Sequence, residues 1–318
     1  MSSVIFFTLA SALLGLAASE SSRVIDANFA DPCVVQTSDG YYAFATNGNG
    51  VNVQVASSSD FSTWNLMSGT DALPGPFPSW VASSPAIWAP DVIQKNDGTF
   101  VMYFSAASSE DSSKHCVGAA TSPSITGPYT PQDGALACPL SQGGAIDADG
   151  FSDGGAYYVV YKIDGNSLDG DGTTHATPIM LQGLNSDAVT PNGDPIQLLD
   201  RDDADGPLIE APSLANVGGT YYLSFSSNMY DTTNYDVSYA TASALTGPFT
   251  KVQAPNAPLL VSGDSSNVGS LAGPGGADFS ADGSRIIFHA FENGQNIDDG
   301  RAMYVAEISV SGGVITVQ

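Results

Sequence analysis

Three acidic residues stand at nearly the same place relative to a recurring turn. Asp31 lies nine residues before Gly40, Asp147 eight before Gly155, and Glu210 nine before Gly219. Each glycine leads into an aromatic run: SDGYYAFAT, DGGAYYVVYK and VGGTYYLSF. Acids that share a phase in a repeat converge when the repeats fold about one axis, and two carboxyl groups in one site can divide acid and base work. Their neighbours are unusual for acids. Phe29-Ala30-Asp31-Pro32 and Leu208-Ile209-Glu210-Ala211-Pro212 set a carboxylate inside apolar sequence, and Glu210 alone of five glutamates has two apolar residues on each side. Desolvation favours the protonated form, which a general acid needs near neutral pH. Each acid also has an ordinary reading. Asp31 fits a strand-initiating Asp-Pro turn, and Glu210 a buried ion pair with an arginine. Asp147, within Asp147-Ala148-Asp149-Gly150-Phe151-Ser152-Asp153, fits a calcium loop, although that segment lacks the EF-hand spacing and closing Glu. The shared phase is what favours a common site.

The same turn recurs five times. NDGTFVMYF and ADGSRIIFHAF complete the set, and Gly40, Gly98, Gly155, Gly219 and Gly283 are spaced by 58, 57, 64 and 64 residues. A short apolar strand precedes each glycine (PCVVQ, PDVIQ, GFS, PSLAN, ADFS), and a third strand follows the aromatic one (VNVQVASS, CVGAATS, ATPIMLQ, DVSYATAS, AMYVAEI). No sustained helical period appears after the N-terminal run, which removes βαβ topologies. Five antiparallel units of about 60 residues predict an all-β, five-bladed β-propeller, with a β-sandwich as the alternative. In a propeller the first strand of every blade lines the central channel. The start of that strand and the loops joining strands 2 and 3 then share one mouth. Those loops (NGNG, ASSEDSSKH, DGNSLDGDGTTH, SNMYDTTNYD, ENGQNIDDGR) are polar and suit a sugar. Ala89 holds the acid's place in the second blade, with Asp91 two residues on, and Gly273-Pro274-Gly275-Gly276 in the fifth.

Composition narrows the partner. Eight Lys+Arg against 33 Asp+Glu leave a formal charge of −25, which repels phosphate backbones and anionic lipid. A neutral polar partner is expected, with no nucleic acid and no membrane, and the chain is expected to be a monomer. Val4 to Ala18 is apolar but shorter than the roughly 20 residues of a membrane span. With Ala17-Ala18-Ser19 it reads as a secretory signal peptide over residues 1–19, leaving one propeller domain over residues 20–318 and a secreted, extracellular protein. A buried N-terminal helix is the alternative. An oxidising compartment permits one bridge among three cysteines, expected between Cys116 and Cys138, with Cys33 a buried thiol in Pro32-Cys33-Val34-Val35.

Carboxylates at a neutral, polar channel mouth suit glycosidic-bond hydrolysis, where one group protonates the leaving oxygen and another activates water. The sequence resembles glycoside hydrolase family 43, five-bladed propellers acting on arabinose- and xylose-containing polysaccharides. FADPCVV resembles the family's base-bearing motif and implies Asp31 as general base. GGAIDADGFSDGGAYY is similar to the motif of its auxiliary acid and implies Asp147 as the residue that modulates and orients. IEAPSL resembles the acid-bearing Glu-Gly-Pro motif and implies Glu210 as general acid. The resemblance also implies inversion of configuration. Ala211 replaces the usual Gly, and Gly276 stands where many arabinan-degrading members carry a His that helps hold a channel metal. No cofactor is required by this reading, and a structural calcium is left open.

Five further residues are candidate substrate contacts. Trp88 enters the mouth and can stack on a sugar face or pack in the core. Arg301 closes the last strand 2–3 loop and is expected to partner Glu210 or Asp147. His289, in Phe288-His289-Ala290-Phe291, reads as either a core histidine or a ligand, while Asn228 and Tyr230 share a mouth-side loop with Tyr235. The leading expectation is an inverting α-L-arabinofuranosidase or other arabinan hydrolase. A β-xylosidase of the same family, a non-catalytic carbohydrate-binding propeller and, more remotely, a protein-interaction propeller are the alternatives.

Overall fold

The computed structural model describes residues 21–294 and 296–318. Five antiparallel sheets follow one another along the chain as five blades. Blade I is built from Cys33–Thr37, Gly40–Ala45, Gln54–Ser58 and Asn65–Leu66, innermost strand first. Blade II runs Trp88–Gln94, Phe100–Ala107, His115–Ser122 and Thr130–Pro131. Blade III runs Ala145–Asp153, Ala156–Ile163, Ile179–Leu184 and Ile196–Leu199, and blade IV Ile209–Val217, Thr220–Ser227, Asp236–Ala242 and Thr250–Lys251. Blade V takes Gly275–Phe279, Arg285–Asn293 and Asn296–Ser311 from the end of the chain, but its next strand is Ser22–Ile25 from the beginning. That pairing closes the ring. The leader expected over residues 1–19 lies outside the described residues.

The five cores lie between blades, and this explains why the second strands read as unbroken apolar runs. Phe100, Met102 and Phe104 face blade I, while Val101 and Tyr103, pointing to the opposite side, face blade III. A strand covered on both faces has no polar alternation. Cys116 and Cys138 are bonded, tying the third strand of blade II to the connection that enters blade III, and Cys33 is a buried free thiol.

Each inner strand contains, or in blade I is preceded by, a residue in the left-handed region. Asp31, Ala89, Asp147, Ala211 and Gly276 have φ of 52, 39, 57, 50 and 55°. In blades II to V the ladder slips at this residue, a β-bulge that redirects the side chains around it. Glu210 is not in phase with Asp31 and Asp147; Ala211 is. Glu210 precedes the bulge and matches Trp88, Ile146 and Gly275, a distinction that counting back from a turn glycine cannot see.

Two residues further along, Cys33, Asp91, Asp149, Ser213 and Asp278 form a second ring in the axial channel. Each accepts from a backbone amide of the next blade. Gly150 N lies 2.7 Å from Asp91 Oδ2, Leu214 N 3.1 Å from Asp149 Oδ2, Phe279 N 3.1 Å from Ser213 Oγ, and Val34 N 2.7 Å from Asp278 Oδ2. The Val92 amide meets the Cys33 sulfur. Burial, with the neighbouring Asp91, pushes the Asp278 carboxyl up to about 8, and burial pushes Asp91 up to about 6. The folded chain therefore keeps protons here that the unfolded chain releases near pH 4, so stability falls as pH rises toward 8. Replacing Asp278 by Asn, which keeps an acceptor for Val34, should flatten this decline between pH 5 and 7 by up to ~1.4 kcal/mol per pH unit. Denaturant unfolding across that range measures it, and an unchanged slope rules out a proton held at Asp278.

Candidate active site

The mouth of the channel opens into a pocket of about 350 Å³. Its walls include Asp31, Asp147 and Glu210, so residues 31, 147 and 210 come together although they are far apart in the chain. Trp88, Tyr230 and Arg301 also line it. Trp88 and Tyr230 are exposed, and the Trp88 ring is backed by His115, stacked at 3.5 Å between centroids. Such an arrangement presents a flat apolar face, held in place from behind, to the pocket.

Asp31 sits at the positive corner. Its Oδ1 accepts from Arg301 Nη1 at 3.0 Å and its Oδ2 from the Thr46 hydroxyl at 2.6 Å. Burial opposes ionisation, but the Arg301 guanidinium and the two hydrogen bonds outweigh it and hold the carboxyl below its usual range. Arg301 therefore pairs with Asp31, not with Glu210 or Asp147 as expected. The reason is reach: the guanidinium lies over the Tyr230 ring, 5.2 Å from its centroid, on the side of the mouth where blade V meets blade I.

His289 is fully buried and is not among the pocket-lining residues. Its Nδ1 accepts the Asp31 backbone amide at 3.0 Å, so the ring proton belongs on Nε2. Burial and the nearby Arg301 push the imidazole down to about 3, so it is neutral. The ring serves the mouth by fixing the Asp31 backbone. Position 276 offers no side-chain ligand for a calcium and has no room for one. A Cβ at Gly276 would lie 2.6 Å from His289 Nδ1 and 3.0 Å from Asp31 Oδ1, and Arg301 Nη1 stands 3.5 Å from the other ring nitrogen. The space and the positive charge are both already supplied by the chain.

Glu210 occupies a second corner. Its Oε2 accepts from the buried Lys162 ammonium at 2.8 Å and its Oε1 from the Tyr235 hydroxyl at 2.8 Å. Lys162 also lies 3.0 Å from Asp164 Oδ1. Burial and the surrounding carboxylates keep the Tyr235 hydroxyl protonated, a fixed donor. Asp147 accepts the Ala211 amide at 3.0 Å. Burial, then the Glu210 charge, raise its carboxyl well above the usual range, with Lys162 opposing them. Asp147 thus favours its protonated form beside a Glu210 whose two oxygens are each held by a donor.

Asn228 does not line the pocket. Its side chain is turned toward Gly206, and the wall is made instead by its neighbours Met229 and Tyr230. Sequence reasoning missed Thr46, Lys162, Asp164 and Asn166. Lys162 is the next-to-last residue of the run AYYVVYKI, and a lysine inside an otherwise apolar and aromatic strand was the available signal. Asn166 lines the pocket with a buried Oδ1 that has no hydrogen-bond partner.

An Aspergillus fumigatus protein described as a probable arabinan endo-1,5-alpha-L-arabinosidase A is 27% identical over 304 residues, 87% of this chain and 86% of that protein. An extracellular endo-alpha-(1->5)-L-arabinanase of Thermotoga petrophila is 31% identical over 150 residues, 44% of this chain but only 30% of its own length. Among solved structures, a thermostable family-43 glycoside hydrolase superposes with a TM-score of 0.76 at 24% identity, covering 94% and 96% of the two chains. An endo-1,4-beta-xylanase from Bacteroides thetaiotaomicron gives 0.72 at 28% identity, covering 93% and 97%. The family model for Glycosyl hydrolases family 43 matches residues 22–314, from the strand that closes the ring to the strand that ends the chain, and the chain belongs to that family.

Proposed function

We propose that the protein is a secreted, inverting glycoside hydrolase that cleaves arabinose-containing polysaccharide. The observation that carries this reading is the opposed electrostatics of one pocket. Asp31 is held ionised by Arg301 and Thr46, while the Glu210 corner retains a proton through Asp147. A carboxylate that takes a proton from water and a carboxyl group that gives one to the departing oxygen are the two halves of inverting hydrolysis. Asp31 is the general base, Glu210 the general acid, and Asp147 the group whose proton and charge respond to Glu210. Trp88 offers a face for a sugar ring. The arabinan in the relatives' descriptions supports the substrate, and the apolar run from Val4 to Ala18, the relative described as extracellular and the Cys116–Cys138 bond support export. Xylan is the second substrate reading, favoured by the Bacteroides xylanase likeness. Digestion of linear arabinan, branched arabinan, arabinoxylan and xylo-oligosaccharides, with product sizing, separates them. Release only from xylo-oligosaccharides overturns the arabinan reading.

The assigned roles differ in their dependence on the leaving group. Glu210→Gln should lose at least ~100-fold on arabinan but recover partly on nitrophenyl arabinofuranoside, whose leaving group needs little protonation. Asp31→Asn should lose comparably on both, because water still needs a base. Steady-state kinetics of the folded variants decide this, and equal losses on both substrates for Glu210→Gln remove its role as acid.

The acidic limb of the pH profile belongs to Asp31 in this scheme. Arg301→Met withdraws the charge that holds Asp31 ionised, so the acidic limb of kcat/KM should move up by about one pH unit or more. A limb that stays in place shows that another group controls it.

A further inference from the structure

Around the axis, the amide of the left-handed residue is received by the second strand of the preceding blade. Asp31 N donates to His289 Nδ1 at 3.0 Å, Ala89 N to Thr46 Oγ1 at 3.0 Å, Asp147 N to Ser105 Oγ at 3.1 Å, and Gly276 N to Ser226 Oγ at 3.0 Å. The register fixes the position of these acceptors. Ser105 pairs with Trp88, Ser226 with Glu210 and His289 with Gly275, each opposite the residue before the bulge. In blade III that position, opposite Ile146, belongs to Lys162. An ammonium has three donors and no acceptor, so it cannot receive the Ala211 amide. Asp147 Oδ2 receives it instead, at 3.0 Å.

We propose that Lys162 is a positioning residue for Glu210, placed where the inter-blade latch is interrupted so that a cation meets the acid. This rests on the hydrolase reading above. A serine would complete the latch, as in blades II and IV, without desolvating a charge. Burying an ammonium strips it of water, a cost that its partners must offset. Among the described residues a lysine is buried only at this position, in the blade next to Glu210. The result is a carboxyl group held at both oxygens, by Lys162 at 2.8 Å and Tyr235 at 2.8 Å, which fixes its plane relative to the pocket. The same break turns Asp147 toward Ala211, the residue after Glu210, and so couples the two acids.

The groups facing Lys162 are Glu210, Asp147 and Asp164; those facing Glu210 are Lys162, Tyr235 and Asp147, with Asp31, His289 and Arg301 in the neighbouring corner. All but Lys162 and Arg301 are acidic or neutral at pH 7. Without the ammonium, the corner holds two desolvated carboxyl groups with no cation between them, and the burial and Glu210 charge that raise Asp147 act unopposed, so the pair keeps its proton to higher pH.

The test is Lys162→Ser, which restores the latch found in blades II and IV, with Lys162→Gln as the fallback if the serine variant does not fold. On linear arabinan, kcat should drop at least ~10-fold with KM within about threefold, and the alkaline limb should rise by about one pH unit or more. Lys162→Arg, which returns a cation, should bring the limb back toward that of the unmodified chain. An alkaline limb within about 0.3 unit of the unmodified chain in a folded neutral variant overturns the proposal. A second readout needs no turnover. The chain has five glutamates, so carboxyl-¹³C glutamate labelling gives a resolvable spectrum in which Glu210→Gln identifies one resonance. That resonance should titrate at higher pH in the neutral variants. If the unmodified protein hydrolyses no arabinoside or xyloside, the hydrolase reading fails while the titration still decides the role of Lys162.

Discussion

A left-handed residue at the head of every inner strand is the constraint from which the mouth of this propeller is built. For an L-residue this conformation costs roughly 1–2 kcal/mol, and four of the five positions are not glycine. The cost is met locally. Each strained amide has an acceptor, and two residues below it a side chain of the same strand takes an amide from the next blade. Strain and hydrogen bonds thus lie on two adjacent rings, which fix the blades to one another near the axis. The bulge brings two consecutive side chains to the pocket, as Ile146 with Asp147 shows, where a regular strand would send one away. Asp31 and Asp147 carry both the strain and the chemistry, as is common where backbone geometry serves a site.

Charge is distributed on this frame with few cations. Of eight Lys+Arg in the sequence, Arg301 and Lys162 are committed to the mouth, one to each corner. The difference in their chemistry matters. The guanidinium of Arg301 is partly exposed, rests on Tyr230 and leaves Asp31 open to the pocket on a side where water can enter. The ammonium of Lys162 is wholly enclosed and is shared between Glu210 and Asp164, so with Asp147 a single positive charge at that corner faces three carboxyl groups. One corner favours losing a proton and the other favours keeping one, although both are built from carboxylates and a single cation.

What the sequence made legible follows from the same physics. The second strands were readable because burial on both faces makes them continuous and aromatic, and a positive-φ glycine marks the turn before each. The ring closure was not, because Ser22–Ile25 has only four residues and its partner lies at the other end of the chain. The fourth strands of blades I, II and IV have two residues each and no pattern to detect. The three acids were found through the repeat, but a bulge displaces phase by one residue, so Glu210 appeared equivalent to Asp31 when Ala211 is. Partners of the acids were hidden for a different reason. Long cationic side chains pair across blades, and neither the link from Arg301 to Asp31 nor that from Lys162 to Glu210 leaves a local signature.

Gly276 and His289 show how two such distant choices depend on each other. A side chain at position 276 would occupy the volume of the His289 ring, so a small residue there is what admits an imidazole from the adjacent strand. Delivered from that side, the ring presents Nδ1 to the Asp31 amide and leaves Nε2 near Arg301. A protonated imidazole would crowd the guanidinium, and a metal would have to displace it. The neutral ring therefore reinforces Arg301 as the source of positive field on Asp31. In this chain the charge that keeps the base ionised comes from an arginine anchored on an aromatic ring, and the fifth blade's glycine is the residue that makes room for that solution.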